Sequence, residues 1–187
     1  MRRCKVIVLT ACFWVNGWMT VFASSKEGIR STDFRKFTYE DCKGWGGRAI
    51  SLQNGEYSNR DGLGETRSKL IAIRYVDLNA DGREEAVIDI RTWSYGSMPY
   101  MDDYYVFQYR RGALNLIFHT SRVTPERMVV RRRAVIIVAP YWSDGSGPYC
   151  CPPYIEKTIY RWQGSKLSVA GRKLRRKQYP GMKVGRG

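Results

Sequence analysis

Short runs in which apolar, β-branched and aromatic residues alternate with polar ones recur along this chain, each closed by Gly, Pro, Asn or Asp. They fall at 48–53, 69–76, 85–92, 103–110, 113–119, 127–131, 133–140, 156–162 and 165–170. A period of two over a few residues predicts strands, and many short strands divided by turn residues predict an all-β domain. Beyond residue 23 no long stretch keeps the 3.6-residue spacing of an amphipathic helix.

The pattern repeats itself. Residues 93–100 read WSYGSMPY and residues 142–149 read WSDGSGPY, so six of eight positions agree at a spacing of 49 residues. An apolar strand opening Ala-Val-Ile precedes each copy, and an aromatic strand, a turn and a further strand follow it. Two units, about 69–119 and 127–170, therefore each predict four antiparallel strands, the make-up of one propeller blade. Two blades cannot close a propeller, which takes at least about four. Their apolar faces must still be buried, which predicts an antiparallel sandwich or barrel built from two four-stranded blade-like repeats, about eight strands in all. Residues 32–60 are expected to add one or two strands or to cap an end.

The N-terminus changes the setting. Met1, Arg2, Arg3, Cys4 and Lys5 are followed by a mainly apolar, uncharged run to Ala23, with Val21 and Ala23 at the −3 and −1 positions of a cleavage site. This is the pattern of a secretory signal peptide over 1–23. It predicts an exported protein, periplasmic or secreted. A retained anchor helix and lipidation at Cys12, within Leu9-Thr10-Ala11-Cys12, are the alternatives. A single β domain over 24–170 then leaves a basic tail over 171–187. Without residues 1–23 the chain carries 29 Lys and Arg against 17 acids, a net +12. The excess is concentrated at the end: residues 156–187 hold ten basic residues and one acid. In an oxidising compartment Cys42 is expected to bridge to Cys150 or Cys151. His119 is the only histidine, and no Cys/His spacing suits zinc.

Residues 76–90, VDLNADGREEAVIDI, carry the sharpest chemical signal. Asp77, Asn79 and Asp81 alternate, Gly82 permits a turn, and Glu85 opens a strand. Calcium takes six to eight oxygens, and such a loop supplies them from alternate positions and a backbone carbonyl. The twelfth position is Ile88 rather than an acid, so this is no EF-hand. The same residues also close loops by Asx turns with no metal. The stretch resembles the calcium loops of FG-GAP and VCBS-type β-repeats. That resemblance implies Asp77, Asn79, Asp81, the Arg83 carbonyl and Glu85 as ligands. The second unit has Arg131, Arg132 and Arg133 at the corresponding place, which suits no cation. Over most of 34–169, through "DLNADGREEAVI", "YYVFQYRRGAL", the "CCP" loop and "YRWQGSKL", the chain is similar to small exported bacterial proteins of unassigned activity, some of them lipoproteins.

The twin loops gather Trp93, Tyr95, Tyr100, Trp142, Tyr149 and Tyr154, either as a stacking surface for a sugar or peptide or as packing for the loops. Arg172, Lys173, Arg175, Arg176 and Lys177 form a candidate anion-binding end for anionic lipid or polysaccharide. Export argues against nucleic acid. Catalytic signals are weak: no G-x-S-x-G elbow occurs, and His119 reads as a strand-end residue. Asp102 and Asp103 are adjacent on a strand and so face opposite ways. The expected function is a non-catalytic, envelope-associated binding or structural module, calcium being its candidate cofactor. An anion-binding envelope protein and a hydrolase of an envelope polymer are the rivals.

Overall fold

The computed structural model describes residues 28–43, 46–61, 64–94, 100–141 and 152–177. The expected signal peptide, most of both twin loops, Cys150 and Cys151 lie outside them. Two 3-10 turns, Ile29–Ser31 and Phe34–Lys36, lead into eleven strands. These are β1 (Thr38–Cys42), β2 (Arg48–Ser51), β3 (Glu56–Asp61), β4 (Gly64–Val76), β5 (Glu85–Ser94), β6 (Met101–Arg110), β7 (Ala113–Val123), β8 (Arg127–Arg131), β9 (Ala134–Tyr141), β10 (Tyr154–Gln163) and β11 (Lys166–Arg176). The described residues hold no α-helix and hence none long and apolar enough to cross a membrane.

The strands form a β1-β2 hairpin, a five-stranded sheet ordered β3-β4-β5-β6-β7 and a four-stranded sheet ordered β11-β10-β9-β8. Every pairing is antiparallel and joins consecutive strands. The fold is thus all-β, and among the described residues the sheets are open, with no closed barrel. Tight turns account for the order. Asn54 and Gly55 between β2 and β3, and Arg111 and Gly112 between β6 and β7, take positive φ at both central positions. That conformation matches the twist of a hairpin.

The five-stranded sheet is the middle layer. On β5, Ala86, Ile88 and Ile90 face a core shared with Phe34, Tyr39 and Ile50 of the N-terminal segment. Val87 faces the other way, joining Met128, Val135, Ile137, Tyr160 and Leu167 of the four-stranded sheet. The same division runs along β6, where Tyr105 and Phe107 face one core and Tyr104 and Val106 the other. A strand covered on both sides cannot alternate, which is why 85–92 reads as an almost unbroken buried run.

Two expectations change here. Residues 171–176 are no loose tail: β11 pairs with β10 as far as Tyr154 opposite Arg176, and the Lys177 N–H bonds the Pro153 carbonyl. Backbone pairing carries residues 171–176, none of which is buried. Cys42 is a buried free thiol rather than one half of a bridge, because its Sγ sits 3.2 Å from Asp103 Oδ2 in the interior.

Candidate functional site

Four groups of polar side chains stand out, and three of them are occupied with one another. The first is the 77–85 loop. Asp77 accepts from the N–H groups of Asp81 and Gly82, both at 3.2 Å. Asn79 Oδ1 accepts from Asp81 N at 2.8 Å, and Asp81 Oδ1 from Arg83 N at 2.9 Å. Glu85 folds back from β5 beneath the loop. Its Oε2 takes the Leu78 N–H at 2.7 Å, and its Oε1 takes Gln108 at 2.8 Å and the Asn79 amide at 3.1 Å. Fully buried, Glu85 is pushed above the usual carboxylate range by desolvation, against the pull of the Leu78 N–H and Gln108. The Asn79 amide also reaches Asp81 Oδ2 at 3.0 Å, as does Arg110 at 2.9 Å. Desolvation, the largest single influence, raises the Asp81 carboxyl; the Arg83 N–H, Arg110 and Asn79 together outweigh it and leave Asp81 below the usual range. As the side chains stand, Arg110 and the Asn79 amide supply the positive partners a cation would supply. Among the described residues no group of three or more His, Cys, Asp or Glu is set to hold a metal.

The second group is centred on Asp103, which is fully buried on β6. Its Oδ1 takes His119 Nε2 and the Lys43 N–H, both at 3.0 Å, and the Ser121 hydroxyl. Its Oδ2 takes the Cys42 thiol. Burial alone would raise this carboxyl; bonds from His119, Ser121, the Lys43 N–H and Cys42 reverse the balance and hold it below the usual range. The His119 ring lies on Tyr105, with centroids 4.4 Å apart and planes 9° from parallel. His119 is thus a mid-strand residue of β7 inside a network, not the strand-end residue expected. Serine, histidine and aspartate meet here, yet not as a relay. Asp103 and Ser121 address the same ring nitrogen, at 3.0 and 3.5 Å, and the serine proton goes to the carboxylate. A nucleophile needs the imidazole between the two. Burial first, then the charge of Asp103, pushes the Cys42 thiol up to about 12, so it is held as a thiol. The network's effect is mechanical: it ties the end of β1 to β6 and β7.

The third group faces the second sheet. Asp102, adjacent to Asp103 but on the opposite face, makes a two-pronged ion pair with Arg91 at 2.8 and 2.9 Å. The Arg91 guanidinium lies 4.0 Å above the Tyr100 ring. Beside them Asp89 is 7% exposed, and its Oδ1 has no hydrogen-bond partner among the described residues. Burial first, and the charge of Asp102 second, push its pKa up to about 7, against the pull of Arg91 and Arg74. Tyr100 also donates to the Pro125 carbonyl at 3.3 Å, so its ring is a packing element. Trp93 borders a hollow with Glu65 and Arg67, and Tyr154 opens β10 opposite Tyr141. Tyr95, Trp142 and Tyr149 lie outside the described residues.

The fourth group is open. Met128, Val135, Ile137, Tyr160 and Leu167 point from the four-stranded sheet into the core, so alternation turns their neighbours outward. Register places Arg127, Val138, Lys157 and Lys173 in one row across the sheet. The next row is Val129, Ile136, Ile159 and Gly171, and the third is Arg131, Ala134, Arg161 and Ser168. Arg175 stands beyond the first row, opposite Ile155. Two shallow hollows follow this face, one beside Arg131 and Arg161, the other beside Arg127, Lys157 and Lys173. No outward position of these four strands is a carboxylate. Glu126, at the rim, is bonded to Lys177 at 3.0 Å. Arg127, Arg131, Lys157, Arg161, Lys173 and Arg175 make no ion pair among the described residues.

Of the basic residues named from sequence, Lys173 and Arg175 belong to this face, while Arg172 and Arg176 alternate to the other side. Lys177 is held by Glu126. Arg127, Arg131, Lys157 and Arg161 were missed. Their signal was present as a pair of cations four residues apart on each of two predicted strands, but it needed the register to join them. No family model matches the chain, and neither a curated protein nor a solved structure shows detectable similarity to it.

Proposed function

We propose that this chain is an exported, non-catalytic, envelope-associated binding module that takes a polyanionic ligand on the outer face of its second sheet. The observation that carries the reading is that face: six cations that make no ion pair among the described residues, and no acid among its outward positions. Like charges held this closely repel one another and gain most from a partner bearing several negative groups. The polar groups of the other three clusters are bonded mainly within those clusters, whereas the cations of this face make no ion pair among the described residues. The two meanders β4–β7 and β8–β11, each four consecutive strands, are read as products of the duplication suggested by the twin loops.

Retention on immobilised heparin or polyphosphate should fall steeply between low and high salt, because exposed charge pairs are screened within about 10 Å at 0.1 M salt. Lys157→Glu with Lys173→Glu should abolish most of it without moving the melting temperature. Retention that ignores both salt and these substitutions would refute the reading.

Calcium is proposed as an accessory ligand of the 77–85 loop. Asp77, Asp81 and Glu85 bring oxygens to one loop, and a flip of the Asn79 amide would turn its oxygen toward them. Arg110 would have to leave Asp81. Calcium at about 100 times its dissociation constant should then stabilise the fold by about 2.7 kcal/mol relative to EDTA. The gain should vanish in Asp81→Ala. Equal melting temperatures in calcium and in EDTA would leave the loop closed by hydrogen bonds alone.

A further inference from the structure

We infer that the polyanion received by the second sheet is the surface of a bilayer rich in anionic phospholipid, an inference that rests on the polyanion reading above. The ground is the arrangement of apolar residues between the cations. The Arg127–Lys157–Lys173 row and the Arg131–Arg161 row are each two residues from the row of Val129, Ile136 and Ile159. Strand geometry puts such rows about 7 Å apart, so two lines of charge run about 13 Å from one another with an aliphatic band between them.

A soluble polyanion uses the charges and leaves that band wet. A bilayer surface uses both. Phosphates meet the cations, while the branched side chains reach toward the acyl boundary. Lysine and arginine suit this role because their stems lie along apolar surface while their charged ends stay at the phosphates. No aromatic ring stands in the three rows, so the face lacks the stacking platforms on which single-stranded nucleic acid is held. Among the described residues no outward position of these four strands carries an acid to complement the cations. Residues 178–187, which follow β11, carry Lys183 and Arg186 and no acid. The four-stranded sheet would lie flat on the membrane, with its inner face still packed on the middle layer.

The test is co-sedimentation of the purified chain with vesicles of phosphatidylcholine alone and of phosphatidylcholine with phosphatidylglycerol, alongside binding to soluble polyphosphate. Each basic residue near an anionic surface contributes about fivefold in affinity, so reversing two should weaken vesicle binding by well over tenfold. Binding only to the anionic vesicles, lost in Lys157→Glu with Lys173→Glu, is the expected result. Ile159→Ser should weaken binding to vesicles several-fold and leave polyphosphate binding unchanged. Polyphosphate binding with no vesicle binding, or equal loss of both in Ile159→Ser, overturns the membrane inference and keeps the polyanion reading. Binding to neither overturns both. Lys157 and Lys173 are exposed, so their variants keep the fold, and unchanged melting curves verify it.

Discussion

Asp103→Ala should lower stability by about 3–5 kcal/mol, the largest loss expected from a single substitution here. Four donors converge on this carboxylate: the His119 ring, the Ser121 hydroxyl, the Lys43 N–H and the Cys42 thiol. Removing it leaves the buried Cys42 thiol and three partly buried donors with no acceptor, and a buried unsatisfied group costs about 1–3 kcal/mol. Alanine also opens a space in a fully buried part of the sheet. In a domain of this size the melting temperature should fall by about 10 °C. The sign of the pH dependence follows from the depressed pKa. The charged carboxylate contributes stability at pH values above its unfolded pKa, and that contribution is lost as pH falls through the folded value. The gap between the native protein and the variant should therefore narrow in acid. Cys42 gives a second readout. It is fully buried, so a thiol reagent should label it slowly in the native protein and much faster once the β1 end is released. A melting temperature within a degree or two of the native value, with Cys42 still protected, would sink the account of Asp103 as the pin of this hairpin.

Asp89→Asn should act in the opposite direction and stabilise the protein above pH 7. Here the folded pKa is raised, from 3.8 to about 7. The folded state holds this proton more tightly than the unfolded chain does, so stability declines as pH rises through that window and the full penalty applies above it. A shift of that size corresponds to a few kcal/mol. The amide's own burial offsets part of it, so a gain on the order of 2 kcal/mol is expected at pH 8. Near pH 4 the native protein carries the protonated acid, and the two melting temperatures should converge. Thermal melts of both proteins across pH 4–8 decide it. A variant less stable than the native protein at pH 8 would mean that Asp89 is held as a carboxylate, by Arg91 and Arg74, and that its free oxygen is satisfied in solution.

The strands that were legible in the sequence are those rich in β-branched and aromatic residues between turn residues. Residues 127–131 read as a strand and are β8; 85–92, 103–110 and 113–119 lie within β5, β6 and β7. What escaped has particular causes. In β1, TYEDC, only Tyr39 and Cys42 are buried, and β3, EYSNRD, is nearly all polar. Both are hairpin partners whose backbone pairing decides the outcome, and pairing leaves no mark on composition. The stretch 171–176 was read by its charge and not by its place beside β10. The loop at 77–85 was read as a ligand set of Asp77, Asn79, Asp81, the Arg83 carbonyl and Glu85; its side chains are near one another in hydrogen bonds because its residues are local. The Asp103 network was out of reach because Cys42, Asp103 and His119 are brought together only when β1 docks on the middle sheet. Its faint trace was a histidine and two serine or threonine residues in a strand that packs on aromatic rings.

The consecutive strand order has a consequence for how the chain acquires its structure. Each ladder joins a strand to its immediate successor. No ladder has to wait for distant parts of the chain to meet, so the entropy of loop closure is small at each step. Hairpins zip on a timescale of about 1–10 μs. The meanders β4–β7 and β8–β11 can therefore grow side by side, each from its own turns. The slow event left is their docking across the core that joins Val87, Tyr104 and Val106 to Val135, Ile137 and Tyr160. Among all-β chains, which fold slowly when their pairings are distant, this one is built to fold early and assemble late.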